Sequence, residues 1–324
     1  MNEFEFIEHI RPKTYHQPSL LYGVGDDAAV YQFHQEATVT AVDTFVENIH
    51  FRKDTMSATD IGYRALAANV SDIAAMGAEP VFYLASIVVP NTWSSEDIKD
   101  IFSGLAELAT QYRMDLIGGD TVSGKELVLS ITVIGKVDAT RLRYRQHAKA
   151  GDVVFVTGTL GDSQAGLHVL LKELPETHPT FKDLIKKHQR PVPQVQFAQQ
   201  LGIISRMALN DVSDGIANEA YELATSSQVD IHIYDETIPT HPLLHHFTKE
   251  QIEKWKYFGG EDFELLGTVS QKEWPMVQRV ATSCNVQVTE IGKVTEVSKQ
   301  QPTVRVLKED EWTTLQQLGY THLK

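Results

Sequence analysis

The chain has 324 residues, 42% of them hydrophobic and 22% charged, with a formal net charge of −14. That length suits about two globular domains, and the acidic excess argues against a basic nucleic-acid surface. The single cysteine, Cys284, excludes an internal disulfide framework and a cysteine metal cluster.

No apolar run approaches the roughly 18 residues needed to cross a bilayer. The opening stretch MNEFEFIEHIRPK lacks a signal-peptide pattern, so a reducing, cytoplasmic location is expected.

Apolar runs and helical patterns alternate along the chain, which predicts an α/β (α+β) fold. The run ATVTAV (37–42) is β-rich and ends at Asp43. The pattern then predicts a helix over 60–76, with Ser57 and Thr59 as candidate N-caps and Gly77 and Pro80 as its stop. Leu66, Val70, Ile73 and Ala74 give it an apolar stripe. Asn69 and Asp72 lie three apart on a neighbouring face. Asp72 stands out, because an unpaired carboxylate in apolar surroundings is costly.

MDLI (114–117) reads as a short strand ending in Gly118-Gly119-Asp120, and LVLSITVIGKV (127–137) as a long one. The polar, locally basic segment 138–152 carries Arg141, Arg143, Arg145 and Lys149 and marks the domain boundary, giving expected domains 1–138 and 139–324. Such a stretch is either a solvated linker or a set of phosphate contacts, for which the planar guanidinium is suited. DVVFVTG (152–158) predicts a strand, followed by a helix from near Ser163. MALNDVSDG ends another strand, and IANEAYELATSS forms the helix after it. FELLGTVS and VQVTEIGKVTEV are late strands.

Acidic residues recur at the ends of apolar runs, mostly beside glycine: Asp26-Asp27, Asp43, Asp120, Asp211 with Asp214, and Glu261-Asp262. One such residue alone is usually a turn or a helix cap. Their recurrence needs another account. Carboxylates without thiolates or paired histidines suit a hard cation, with Mg²⁺ foremost, and Mg²⁺ completes its shell with water and substrate phosphates. No G-x-x-x-x-G-K-[ST] loop, H-R-D loop or H-E-x-x-H helix is present. Ser213 lacks the G-x-S-x-G elbow of a nucleophile. Among the histidines, His50 is singled out by its nearness to Asp43 and Glu47.

GVGDDAAV, VDTFVENIHF, ALAANVSDIAAMGAEP, LIGGDT, VTGTLGDSQAGL, DVSDGIANEA and GGEDFELL occur in this order. Together they resemble the thiamine-monophosphate kinase family, in the superfamily that also holds aminoimidazole ribonucleotide synthetase, selenophosphate synthetase and a hydrogenase maturation factor. The resemblance runs from near Glu5 to the closing LGYTHLK. It implies an N-terminal ATP- and Mg²⁺-binding domain whose sheet pairs across a homodimer, and a C-terminal α/β domain.

The implied activity is transfer of the γ-phosphoryl group of ATP to thiamine monophosphate, with several Mg²⁺ ions and no protein nucleophile. The implied metal ligands are Asp27, Asp43, Asp72, Asp120, Asp211 and Asp214. Gly119, Asp120, Arg145 and Ser213 would touch ATP, while His50, Glu261 and Tyr320 would touch the thiamine phosphate. Ala41 and Val42 stand where the family often has hydroxyl residues, so the resemblance implies that one metal site would be weaker or differently built. An aminoimidazole ribonucleotide synthetase-like ligase, a metal-dependent phosphohydrolase and a non-catalytic nucleotide-binding regulator are the alternatives. No nucleic-acid or membrane partner is expected.

Overall fold

Residues 10–22, 29–171, 181–298 and 300–318 are described by a computed structural model. They divide between two units, one drawn from Met1–Ile73 and Ala78–Thr140, the other from Ala74–Gly77 and Arg141–Lys324. Asp27 and Tyr320 lie outside the described residues.

In the first unit a short antiparallel ribbon, β1 (Leu20–Tyr22) with β2 (Val30–Tyr31), precedes a four-stranded sheet. The sheet comprises β3 (Ala37–Val46), β4 (Glu79–Pro90), β5 (Asp115–Gly124) and β6 (Val128–Val137), in the order β3-β6-β4-β5. Only β4 and β5 run parallel.

Exposure alternates along β3, as a pleated strand with one covered face requires. Its open face, shared with β5, carries Val42 at 61% exposure and Val122 at 46%. Among the described residues, the unit carries helices α1 (Ala58–Ala75) and α2 (Ser95–Tyr112). Leu66, Val70, Ile73 and Ala74 are all fully buried, as the helical spacing predicts. Ser57 caps α1: its hydroxyl accepts the Asp60 amide at 3.2 Å and donates to the Asp60 carboxylate at 2.6 Å. Thr59 falls inside the helix instead. Gly77, at φ 72°, ends it, with the Ala78 amide reaching back to the Ile73 carbonyl.

Two strands run further than the sequence pattern suggests. Asp43 lies within β3, paired with Ile131, not at its end. Gly118, Gly119 and Asp120 continue β5 in parallel register with Leu84, Ala85 and Ser86. Gly119 is there for strand packing and not for a turn: a Cβ on it would lie 1.9 Å from the Ala85 carbonyl oxygen.

The second unit holds a seven-stranded sheet of β7 (Asp152–Thr157), β8 (Met207–Asp211), β9 (Asp230–Tyr234), β10 (Leu265–Ser270), β11 (Val288–Thr295), β12 (Val304–Lys308) and β13 (Glu311–Thr314). Their order is β13-β12-β9-β11-β7-β10-β8, and only β12 with β9 is parallel. Its helices are α3 (Asp162–Leu171), α4 (Lys182–Gln189), α5 (Val195–Gln200), α6 (Ile216–Ser227), α7 (Lys249–Phe258) and α8 (Trp274–Cys284).

All six residues of β7 are buried, so it forms the spine of the unit. Val154 and Val156 of β7 and Ile231 and Ile233 of β9 share one core with Ile216, Ala220 and Leu223 of α6. Among the described residues, no helix is long and apolar enough to cross a membrane.

Candidate active site

In the first unit the candidate residues sit on separate elements. Asn69 of α1, fully buried, links two of them. Its Oδ1 accepts the Asp43 amide at 2.9 Å, while its Nδ2 holds the Ala65 carbonyl at 3.0 Å. Asp72 follows on the same helix. It is half-buried rather than enclosed, although its neighbours Ser71 and Ile73 are buried. The apolar letters around it belong to the adjoining faces of α1.

Asp120 is exposed, and its Oδ1 accepts the Thr121 amide at 2.9 Å. By register it lies in one row with Ser86, Ser130 and Thr44, next to the row of Asp43, Ile131, Ala85 and Gly119. The pleat therefore sends Asp43 and Asp120 to opposite faces of this sheet. His50 is tied locally: its Nδ1 accepts the Val46 amide at 3.0 Å, and its ring meets that of Phe45 at 5.3 Å. Glu47 is structural, accepting the Trp93 indole at 3.0 Å and the Leu127 amide at 3.1 Å.

The second unit gathers its candidates closely. β8 ends at Asp211, which is 3% exposed. Val212 and Ser213 then run beside the segment from Glu261 to Glu264: the Val212 amide donates to the Glu264 carbonyl, the Phe263 amide to the Val212 carbonyl, and the Glu261 amide to the Ser213 carbonyl at 2.7 Å. Glu261 thus lies beside Ser213 and Asp214, although almost fifty positions separate them in sequence. Gly215 begins α6 at φ 101°, where a Cβ would come within 2.8 Å of the Phe258 backbone. This turn puts Ser213 and Asp214 just before the helix N-terminus, where the dipole favours negative charge.

Glu219 of α6, not singled out from sequence, is the centre of this group. It is 3% exposed. Its Oε1 accepts the Asp214 amide at 3.1 Å and the Ser213 hydroxyl at 3.4 Å, and its Oε2 accepts the Asn210 side-chain amide. Burial, then the charges of Asp211 and Asp214, push its carboxyl up to about 8, against the pull of the Asp214 amide and Arg145. Arg145 donates from Nε to Asn210 Oδ1 at 2.9 Å and pairs with Glu222 at 3.3 Å. The other arginines of the basic stretch diverge from it. Arg143 is buried, its Nη2 held by the Leu201 and Ile204 carbonyls, so it is neither linker nor phosphate contact. Arg141 and Lys149 are exposed.

Asp262 turns away from its neighbour Glu261. Its carboxylate accepts the Gly161 amide at 2.6 Å and the Ser163 amide at 3.0 Å, capping α3. Glu264 accepts the Thr157 hydroxyl at 2.6 Å, Gln194 at 3.1 Å and Lys187 at 3.3 Å. Burial, and then the Asp162 charge, raise Asp262 well above its ordinary range, and burial raises Glu264. Among the described residues, no three acidic, histidine or cysteine side chains converge as a ready metal cage.

Residues 25–137 match the family model for AIR synthase related protein, N-terminal domain, and residues 149–305 match its C-terminal counterpart. Over the full length of both chains, the protein is 45% identical to thiamine-monophosphate kinase from Bacillus subtilis (strain 168). The chain belongs to the thiamine-monophosphate kinase family.

Another family member, from Escherichia coli (strain K12), is 34% identical over 93% of this chain and 91% of its own. The crystal structure of thiamine-monophosphate kinase from Stenotrophomonas maltophilia K279a matches with a TM-score of 0.85 at 31% identity, over 94% of this chain and 96% of that one. A structure described as AaThiL complexed with AMPPCP and TMP matches with a TM-score of 0.75 at 30% identity, over 93% of both chains. The hydrogenase maturation protein HypE from E. coli, at 20% identity and a TM-score of 0.79 over 98% of this chain and 96% of its own, shares the fold.

Proposed function

We propose that this protein phosphorylates thiamine monophosphate to thiamine diphosphate with ATP, by direct in-line transfer in the presence of several Mg²⁺ ions. The observation that carries the reading is end-to-end identity of 45% with a thiamine-monophosphate kinase, joined to the gathering of Asp211, Ser213, Asp214, Arg145 and Glu261 in the second unit. The likeness to a chain holding AMPPCP and TMP supports the same substrates.

The chemistry of the candidate donors suits Mg²⁺, since all are carboxylates and none is a thiolate. Asp27, Asp43, Asp72, Asp120, Asp211 and Asp214 would hold it. Bound Mg²⁺ would neutralise charge on the two polyanions.

The remaining chemistry belongs to the chain. Arg145 and Ser213, with Gly119 and Asp120, would bind and orient ATP. His50, Glu261 and Tyr320 would seat thiamine monophosphate. The attacking group is a phosphate oxygen already ionised at neutral pH, so no side chain need remove a proton. That oxygen bonds to the γ-phosphorus as the bond to the β-phosphate oxygen breaks, releasing ADP.

Residues 1–138 would form the ATP- and Mg²⁺-binding and dimerisation domain, and 139–324 the C-terminal domain. The open sheet face bearing Val42 and Val122 supports a homodimer. A cytoplasmic location accords with this metabolic role.

Incubation with ATP, MgCl₂ and thiamine monophosphate, followed by chromatography, tests the reading. Thiamine diphosphate and ADP should appear in equal amounts. Phosphate release without thiamine diphosphate would point to hydrolysis and overturn it, as would nucleotide binding without turnover.

A further inference from the structure

Asn210, 2% exposed, stands on β8 between two groups of the candidate site. Its Oδ1 accepts Arg145 Nε at 2.9 Å, and its Nδ2 donates to Glu219 Oε2. This polarity is forced. A guanidinium Nε can only donate, so the amide oxygen must face Arg145 and the amide nitrogen must face Glu219. Glu219 has both of its oxygens engaged as acceptors, since Oε1 takes the Asp214 amide and the Ser213 hydroxyl. Arg145 itself is half-exposed, and its other partner Glu222 is a surface ion pair of the kind that fixes little. The buried Asn210 is therefore what anchors the guanidinium.

We infer that Glu219 and Asn210 form a hydrogen-bond relay that aims Arg145 at the nucleotide phosphates, which makes both of them positioning residues for phosphoryl transfer. The inference rests on the proposed contact of Arg145 with ATP. One buried carboxylate thus sets the Ser213–Asp214 loop through one oxygen and Arg145 through the other.

The relay makes a compensation test possible. Glu219→Gln leaves one acceptor where two are needed, so the contact to Asn210 or to the Asp214 amide fails. Asn210→Asp sets two carboxylates against each other. Together the two changes restore complementarity at unchanged net charge: the new carboxylate at 210 accepts from Arg145 and from the new carboxamide at 219, whose oxygen still accepts the Asp214 amide.

Binding of AMPPCP with Mg²⁺ by calorimetry, with KM for each substrate and a melting curve, reads the outcome. Each single change should weaken AMPPCP about tenfold (about 1.4 kcal/mol) and raise KM for ATP, with KM for thiamine monophosphate unmoved. The double variant should return to within about twofold of wild type. Losses that add rather than cancel overturn the relay. Should Glu219→Gln not fold, Asn210→Ala removes the middle link, and undiminished AMPPCP binding there is equally fatal.

Arg145→Ala tests the underlying reading. Unchanged AMPPCP binding removes the nucleotide contact and the relay with it. Weakened binding there, with none in Glu219→Gln, overturns the relay alone.

Discussion

Asp43, Asp72 and Asp120 of the first unit stand on a strand, a helix and a second strand, and Asp120 is turned to the other face of the sheet from Asp43. Asp211, Asp214 and Glu219 of the second unit crowd one strand–helix turn, and two of the three are 3% exposed. The first arrangement costs the fold little, since separated and partly hydrated carboxylates repel weakly. The second concentrates negative charge in a dry turn, and the elevated Glu219 carboxyl records the strain. A chain can thus carry one set of acids at small cost and hold another only against repulsion that a bound cation would relieve.

Substitution should separate the two sets. Asp72→Asn and Asp214→Asn should each lower turnover well over tenfold, as expected when charge neutralisation around the phosphates is lost. Their stabilities should diverge: the metal-free Asp214 variant should melt above wild type, and the Asp72 variant close to it. Near-normal turnover in either would falsify the ligand role of that residue.

A second contrast lies within the C-terminal unit, where Glu264 pairs directly with the ammonium of Lys187, while Arg145 reaches Glu219 through Asn210. Lys187→Met removes the ammonium that pairs with Glu264 beside Asp262 and Asp162. Because the Lys187 side chain is 40% exposed, the loss should be about 1 kcal/mol in a urea titration, well below the cost of breaking a fully buried pair. No change would show that solvent already screens the cluster.

Acidity offers a gentler probe. Cation charge at Asp211 and Asp214 would restore Glu219 to the carboxylate that accepts from Asn210 and from the Asp214 amide. Without a bound cation, Glu219 ionises near 4.5 in the unfolded chain but at about 8 when folded, so the metal-free folded state binds the extra proton between those values. The stability this contributes is complete below pH 4.5 and is lost as pH rises through about 8. The urea midpoint of the metal-free protein should fall over that window, and the fall should be shallower in Glu219→Gln. The smallest effect on the fold should come from Val42→Glu on the open face of the first sheet. Its melting should hardly move, while sedimentation should show the proposed dimer reduced to monomers.

Much of this was readable from the letters. The apolar stripe of α1, its Ser57 cap and its Gly77 stop follow from spacing and side-chain chemistry. So does the strand ending at Asp211 with a helix after Gly215. The Gly-Gly-Asp at 118–120 misled, because glycine serves close strand packing as readily as a turn, and only the position of Ala85 decides between them. Arg143 was hidden in a run of basic residues, since its carbonyl partners lie some sixty positions away.

Glu219 had a visible signature. It falls three residues after Ile216 and four before Leu223, on the apolar side of α6. The lacing of Ser213 to Glu261 had none, because backbone pairing between distant loops leaves no trace in side-chain chemistry.

Glu261 and Asp262 are adjacent letters with different obligations. Asp262 carries the first amides of α3, while Glu261, at φ 67°, is tied through its backbone amide to Ser213 and is only half-buried. A saturation library over this segment should therefore yield two unlike tolerance profiles side by side. Losses at 262 would show as reduced soluble yield, and losses at 261 as well-expressed but inactive protein. Natural drift in substrate preference would have room at position 261 and almost none at position 262.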